Sequence, residues 1–245
     1  MSDSRQRPFG FQTTQWSLVV EAGQQIGQSE NQLLGHLCER YWRPLYLFAR
    51  RSGQSSEAAE DAVQGFFAQL LSGQSLKVAD RKRGRFRSFL LTSFTNYLRN
   101  QHSQAMTLKR GGATRLFSLD VRTAEGEFVN QPCTMGTPEE EFDRQWAISV
   151  LNSTLNAMRD RYAARGKLEL FNALATYLGA ESESAKYEET AQLVNRSPSA
   201  VKVAVHRLRR EYREQLRETV AATIQHVTEV DDELNILLTA LNPRR

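Results

Sequence analysis

The sequence predicts an all-α protein of two small helical domains joined by a flexible linker, the second ending in a helix-turn-helix. Three observations lead there. Apolar residues recur at spacings of three and four through the long segments, the mark of amphipathic helices. A Gly/Thr-rich stretch without sustained periodicity, residues 111–137, interrupts them. The stretch from Tyr187 to Tyr212, YEETAQLVNRSPSAVKVAVHRLRREY, carries the start and stop signals of two helices around a tight break. The expected organisation is a first domain over 1–110, a linker over 111–137, a helix-turn-helix domain over 138–226 and a C-terminal helical extension over 227–245.

At 245 residues the chain has room for two small domains. Charged residues make up 24% and hydrophobic ones 40%, an ordinary balance for a folded soluble protein rather than a disordered one. The net charge is only +4, so the distribution of charge matters more than its total. Cys38 and Cys133, the only cysteines, lack any CxxC or Cys/His spacing, which argues against a disulfide framework or zinc site. The N-terminal MSDSRQRPFG has no apolar leader core, and no run approaches membrane-spanning length. A cytoplasmic protein without cofactor or metal is expected.

In chain order, residues 1–11 are polar. Thr14 can cap a helix carrying Trp16, Leu18, Val19 and Val20. From Asn31 to Arg51, Leu33, Leu34, Leu37, Tyr41, Trp42, Leu45 and Phe48 follow helical spacing, with Pro44 expected to kink the helix or mark a turn. Ser56, then Glu57, Glu60 and Asp61, read as a capped, acid-first helix start that suits the helix dipole and runs on through Val63, Phe66, Phe67 and Leu70.

From Arg81 to Leu119 there is no Asp or Glu, while Arg81, Lys82, Arg83, Arg85, Arg87, Arg99, Lys109, Arg110 and Arg115 are present. Phe86, Phe89, Leu90, Phe94, Tyr97 and Leu98 give that block an aromatic-rich helix. Cations interleaved with aromatics suit melted nucleic acid, since phosphates pair with the charges and unstacked bases lie on rings. The plainer reading puts Phe86, Phe89 and Leu90 in the core and leaves Asn96, Tyr97, Asn100 and His102 as the candidates for base contact.

After the linker, Thr137-Pro138-Glu139-Glu140-Glu141 caps a helix whose apolar side is Phe142, Trp146, Ile148, Leu151, Leu155 and Met158. Leu168 to Leu178 form a second amphipathic segment. Then come Tyr187, Ala191 and Val194 on one stripe, and Asn195 at the break, where Asn tolerates left-handed backbone. Ser197 is a hydroxyl cap with Pro198 at the first helical position. Val201, Val205, Leu208 and Tyr212 make the buried stripe of the last helix, and Lys202, His206, Arg207, Arg209, Arg210 and Arg213 occupy its other faces. A solvated helix usually mixes signs, whereas Ser197 to Arg210 contains no acid. Such a helix would enter a DNA major groove N-terminus first. The closing VDDELNILLTAL reads as a helix that straps the second domain or presents a regulatory surface.

The run from Tyr187 to Arg209 resembles the promoter-binding C-terminal domain of bacterial sigma factors of the extracytoplasmic-function type (group IV). LCERYWRPLYLFARR, EAAEDAVQGFFAQLL and RGRFRSFLLTSFTNYLRN, in that order, resemble the N-terminal domain of the same group. The resemblance covers nearly the whole chain. It implies a non-enzymatic specificity subunit whose partners are core RNA polymerase and promoter DNA, with an anti-sigma factor as the usual controller. By position it implies polymerase contact at Asp61, Gln64 and Phe67, and reading of the melted −10 element by Asn96, Arg99 and Asn100. It implies −35 contact through Ser199, Lys202, Val203, His206, Arg207, Arg209 and Arg210. Lys202 and Arg207 suit guanine edges, and Arg209, Arg210 and Arg213 suit phosphates. The linker's Asp120, Glu125 and Glu127 are compatible with its threading toward the polymerase active-site channel. The group more often has Trp where Phe89 stands and Arg where Thr92 stands. Two other readings compete: a free-standing helix-turn-helix regulator of duplex DNA, and a DNA-processing enzyme, for which the scattered His36, His102, His206 and His226 offer no catalytic cluster.

Overall fold

The computed structural model describes residues 28–71, 85–105, 120–130, 136–179, 184–224 and 227–242. Among them every regular element is helical. The helices are α1 (Gln28–Arg51), α2 (Ser56–Leu71), α3 (Phe86–Ala105), α4 (Val121–Asn130), α5 (Pro138–Ala164), α6 (Leu168–Ala175), α7 (Ser184–Leu193), α8 (Pro198–Ala221) and, after a 3-10 turn (Val227–Glu229), α9 (Val230–Leu241). The expected helix around Trp16 lies outside the described residues.

Two compact units divide the chain. One is Met1–Ile148 together with Val220–Arg245, the other Ser149–Thr219. These limits differ from those read from the sequence. The start of α5, with Phe142 and Trp146 fully buried, belongs to the first unit, and so does the C-terminal segment expected to strap the second.

The first unit is built on aromatic burial. Phe66 and Phe94 meet edge-on at 5.1 Å, Tyr41 and Phe86 at 5.4 Å, and Phe48 and Phe94 at 6.1 Å. Such edge-to-face pairs add to the area term of burying each ring. Helix α1 continues through Pro44. The cap of α2 is Ser55, whose Oγ accepts from the Ala58 N–H at 3.1 Å, rather than Ser56. Ser56 lies in the first turn, its Oγ 2.8 Å from the Tyr46 hydroxyl. The Tyr97 ring covers Gly65, where a side chain would run into its hydroxyl and stand 3.3 Å from its Cζ.

Within the predicted linker, residues 121–130 form a helix attached to this unit. Asp120 caps it, its Oδ1 accepting from the Thr123 N–H at 3.3 Å. Glu125 accepts from the Tyr46 hydroxyl at 2.6 Å and from Arg50 Nε and Nη2 at 2.9 and 2.6 Å. The Arg50 guanidinium in turn lies 4.4 Å over the Phe128 ring. The Arg50 contacts, and then the Tyr46 bond, hold the Glu125 carboxyl below its usual range against the opposing effect of burial. A carboxylate fixed this way is a docking contact of α4, so Glu125 is not a free acid of an extended strand.

The C-terminal segment closes the unit. Val220, Ile224, Val230 and Leu237 are buried, and the Thr223 carbonyl accepts from the Phe86 N–H at 3.3 Å, satisfying an otherwise orphaned donor at the start of α3. Glu233 is fully buried. Its Oε1 accepts from Arg87 Nε at 2.7 Å, and Arg85 Nε lies 2.9 Å from Oε2, an ion pair without hydrogen-bond geometry. Arg87 also pairs with Asp143 and lies 5.0 Å over the Trp146 ring. Burial pulls the Arg87 guanidinium down, but the two carboxylates outweigh it and the net direction is up. Burial is also the largest influence on Asp143, raising its carboxyl despite Arg87. Two cations of the acid-free block are thus internal ion-pair partners, because the acids that Arg87 answers lie 56 and 146 residues further along the chain, on α5 and α9.

In the second unit Met158, Phe171, Leu174, Tyr177, Ala191, Val201, Val205 and Leu208 form the core. Helix α5 ends at Gly166, φ +65°, with Gly166 N–H bonded to the Ala163 carbonyl and Lys167 N–H to that of Tyr162, both at 2.9 Å. That is a glycine-terminated helix end, and it turns the chain into α6.

Candidate nucleic-acid interface

The candidate site is the pair α7 and α8 with the turn between them. Asn195 has φ +50°, and it closes α7 through two bonds. Arg196 N–H donates to the Ala191 carbonyl at 2.9 Å and Asn195 N–H to that of Gln192 at 3.3 Å. Asn is one of the few side-chain-bearing residues that accept this backbone readily. Ser197 then caps α8, its Oγ accepting from the Ala200 N–H at 3.2 Å, and Pro198 takes the first helical position. The turn chemistry read from the sequence is the chemistry observed.

Burying Val201, Val205 and Leu208 turns the opposite side of α8 outward, where Ser199, Lys202, Val203, His206, Arg207, Arg210 and Arg213 are exposed. Val203 is 52% exposed, unusual for so apolar a side chain, and it stands in the middle of this basic face. The Lys202 ammonium lies 5.5 Å over the Tyr187 ring, which stacks on Tyr177 at 4.9 Å. Arg210 reaches Glu214 at 3.6 Å, both largely exposed, a weak solvated pair.

Arg209 departs from its expected place. It is half-buried, and its Nε and Nη2 donate to the Tyr177 carbonyl at 3.1 and 2.8 Å. Tyr177 itself is buried, its hydroxyl donating to the Lys186 carbonyl at 2.7 Å and lying 2.7 Å from Thr190 Oγ1. Arg209 therefore ties α8 to the end of the α6 segment, and its position on the helix, next to Leu208, carries it toward the core edge rather than outward.

On the other flank of α8 a concave pocket of about 490 Å³ opens beside Ser199 and Arg207. Arg165, Lys167 and Arg196 complete its cationic wall, and Glu211 is its one acid. The Tyr162 hydroxyl donates to Glu211 at 3.1 Å, and burial together with that carboxylate pushes the hydroxyl above its ordinary range. Arg165, Lys167 and Arg196 were not among the residues picked out by motif. The available signal was the Arg165-Gly166-Lys167 helix end and an arginine placed directly before the Ser197 cap.

In the first unit Asn96, Arg99 and Asn100 are exposed on one face of α3, as their three- and four-residue spacing requires. Tyr97 is half-buried, its ring against Phe66 and Phe94, and burial raises its hydroxyl above the ordinary value. The His102 side chain lies outside the described residues. On α2 only Asp61 of the three expected contact residues is on the surface. Phe67 is 1% exposed and Gln64 4%, with the Gln64 amide 3.4 Å from Glu60 Oε1. Both face the core because they follow Val63 and Phe66 around the buried side of the helix.

Among the described residues no group of His, Cys, Asp and Glu is arranged to hold a metal ion, and no helix is long and apolar enough to cross a membrane. Comparison of the chain with protein-family models, curated proteins and solved structures finds no match.

Proposed function

We propose that this chain is a sigma factor of the extracytoplasmic-function type, which binds core RNA polymerase in the cytoplasm and directs promoter-specific initiation of transcription. The observation that carries the reading is the outward face of α8, basic and acid-free from Ser197 to Arg210, presented by a correctly built turn and capped by Ser197. In this reading α8 enters the major groove of the −35 element N-terminus first. Ser199, Lys202, Val203, His206 and Arg207 approach base edges, where Lys or Arg pairs with guanine O6 and N7 and an apolar residue meets a thymine methyl. Arg210 and Arg213 position the helix on phosphates.

The exposed Asn96, Arg99 and Asn100 of α3 read the melted −10 strand, and Asp61 on α2 belongs to the polymerase-facing surface. In this reading the protein performs no chemistry of its own. The test is co-purification of the full chain with core RNA polymerase, followed by transcription from a pool of random promoters. Stable binding and initiation at a shared two-part motif are expected. Duplex binding without any association with core would replace the proposal with a free-standing regulator.

A further inference from the structure

We infer that the pocket beside α8 is a cradle for the sugar-phosphate backbone of duplex DNA, with Arg165, Lys167 and Arg196 as phosphate contacts additional to those on the helix itself. This rests on the DNA-binding reading of α8 and extends it to elements outside the helix-turn-helix. Arg165, Lys167, Arg196 and Arg207 are all exposed, and among the described residues none of the four has an acidic partner within ion-pair distance. Four cations against the single, already hydrogen-bonded Glu211 make the wall strongly anion-seeking.

The placement suits a groove wall. Ser199, Val203 and Arg207 lie four residues apart along the pocket side of α8, a ladder about 12 Å long at 1.5 Å per residue. The DNA major groove is about 12 Å wide, so a helix seated in it has a phosphate backbone along each flank. Arg196 sits in the turn that leads into α8, and the Arg165-Gly166-Lys167 corner opens the same pocket from α5 and α6. Both therefore stand beside the N-terminal half of α8, the half that enters the groove. The opposite flank carries Lys202 and Arg213, so the recognition helix is bordered by positive charge on both sides. An acidic peptide could meet the same cations, but it has no counterpart to the second flank.

The experiment compares the full chain with its Arg165→Gln/Lys167→Gln variant on two duplexes, one carrying the selected upstream motif and one scrambled, by fluorescence anisotropy across a salt series. Each phosphate contact contributes about 0.9 to the slope of log affinity against log salt. The variant is expected to lose about 1.8 from that slope on both duplexes, roughly two contacts, with the ratio of affinities for the two duplexes unchanged. Arg196→Gln alone should lose about half as much. Melting curves matching the parent check that the fold is kept. An unchanged slope overturns the cradle while leaving the function reading intact, and so does a collapse of the motif-to-scrambled ratio, which would make these residues base readers. A parent chain that binds neither duplex at low salt overturns both.

Discussion

Replacing Glu233 by glutamine tests whether the C-terminal helix is an internal part of the first unit. The Glu233 side chain is 1% exposed and that of Arg87 9%. Removing one partner of a buried ion pair costs about 3–5 kcal/mol, because the other charge is left desolvated. Two features move the expectation to the low end. Asp143 still faces Arg87, and Arg85, with its side chain 28% exposed, can recover water. A loss near 3 kcal/mol, at about 2–4 °C per kcal/mol for a chain of this size, lowers the melting temperature by roughly 6–12 °C. Trp42 and Trp146, the tryptophans among the described residues, both fall within the first unit, and their fluorescence follows its unfolding. The double variant Glu233→Met/Arg87→Met should recover much of the loss, since a well-packed apolar replacement of a buried pair is often neutral. A shift below about 2 °C for Glu233→Gln, under 1 kcal/mol on the same scale, would mean the pair is not desolvated and the packing of α9 has been misjudged.

Gly65→Ala should destabilise the first unit by about 1–2 kcal/mol, despite the usual helix-propensity gain, because the methyl meets the Tyr97 ring. Tyr97→Phe in the same chain should return part of that, as read by urea unfolding. Arg209→Ala should lower the stability of the second unit by about 1–3 kcal/mol through loss of its two bonds to the Tyr177 carbonyl. Arg210→Ala should leave stability within about 0.5 kcal/mol, and a reversed order would return Arg209 to the DNA-facing set. Glu125 has a folded-state pKa held below its ordinary value, so its contribution is full above about pH 4.3 and is lost as pH falls through the depressed folded value. The stability difference between parent and Glu125→Gln should therefore shrink on acidification. A difference that stays constant from neutral to acid pH would rule out the Arg50 pairing as its source.

What was legible in the sequence was local. Asn195, Ser197 and Pro198 name their backbone roles by residue type, and Thr137 with Glu140 names a capping box. In it the Glu140 N–H donates to Thr137 Oγ1 at 3.2 Å, and Glu140 Oε2 accepts from the Thr137 N–H at 2.8 Å. The helical faces followed from spacing, and so did the exposure of Asn96, Arg99 and Asn100. What escaped was set by partners distant in the chain. Nothing near Arg87 announces that a glutamate on α9 will neutralise it, and nothing near Arg209 announces a carbonyl on the α6 segment. Glu125 looked like a free linker acid because Arg50 and Tyr46 lie on the first described helix. Phe67 and Gln64 were assigned by position in a resemblance, and burial follows the helix's own periodicity instead.

The ion pair between Arg87 and Glu233 also sets an order of events at the ribosome. Its two residues are separated by 146 positions. At a synthesis rate of about 5–20 residues per second, Arg87 is present for roughly 7–30 s before its carboxylate exists. During that interval Arg85 and Arg87 lack the buried carboxylate that pairs with both. The second unit, Ser149–Thr219, lies wholly between the two segments of the first, so it is made in full while the first unit still lacks Glu233 beside Arg87.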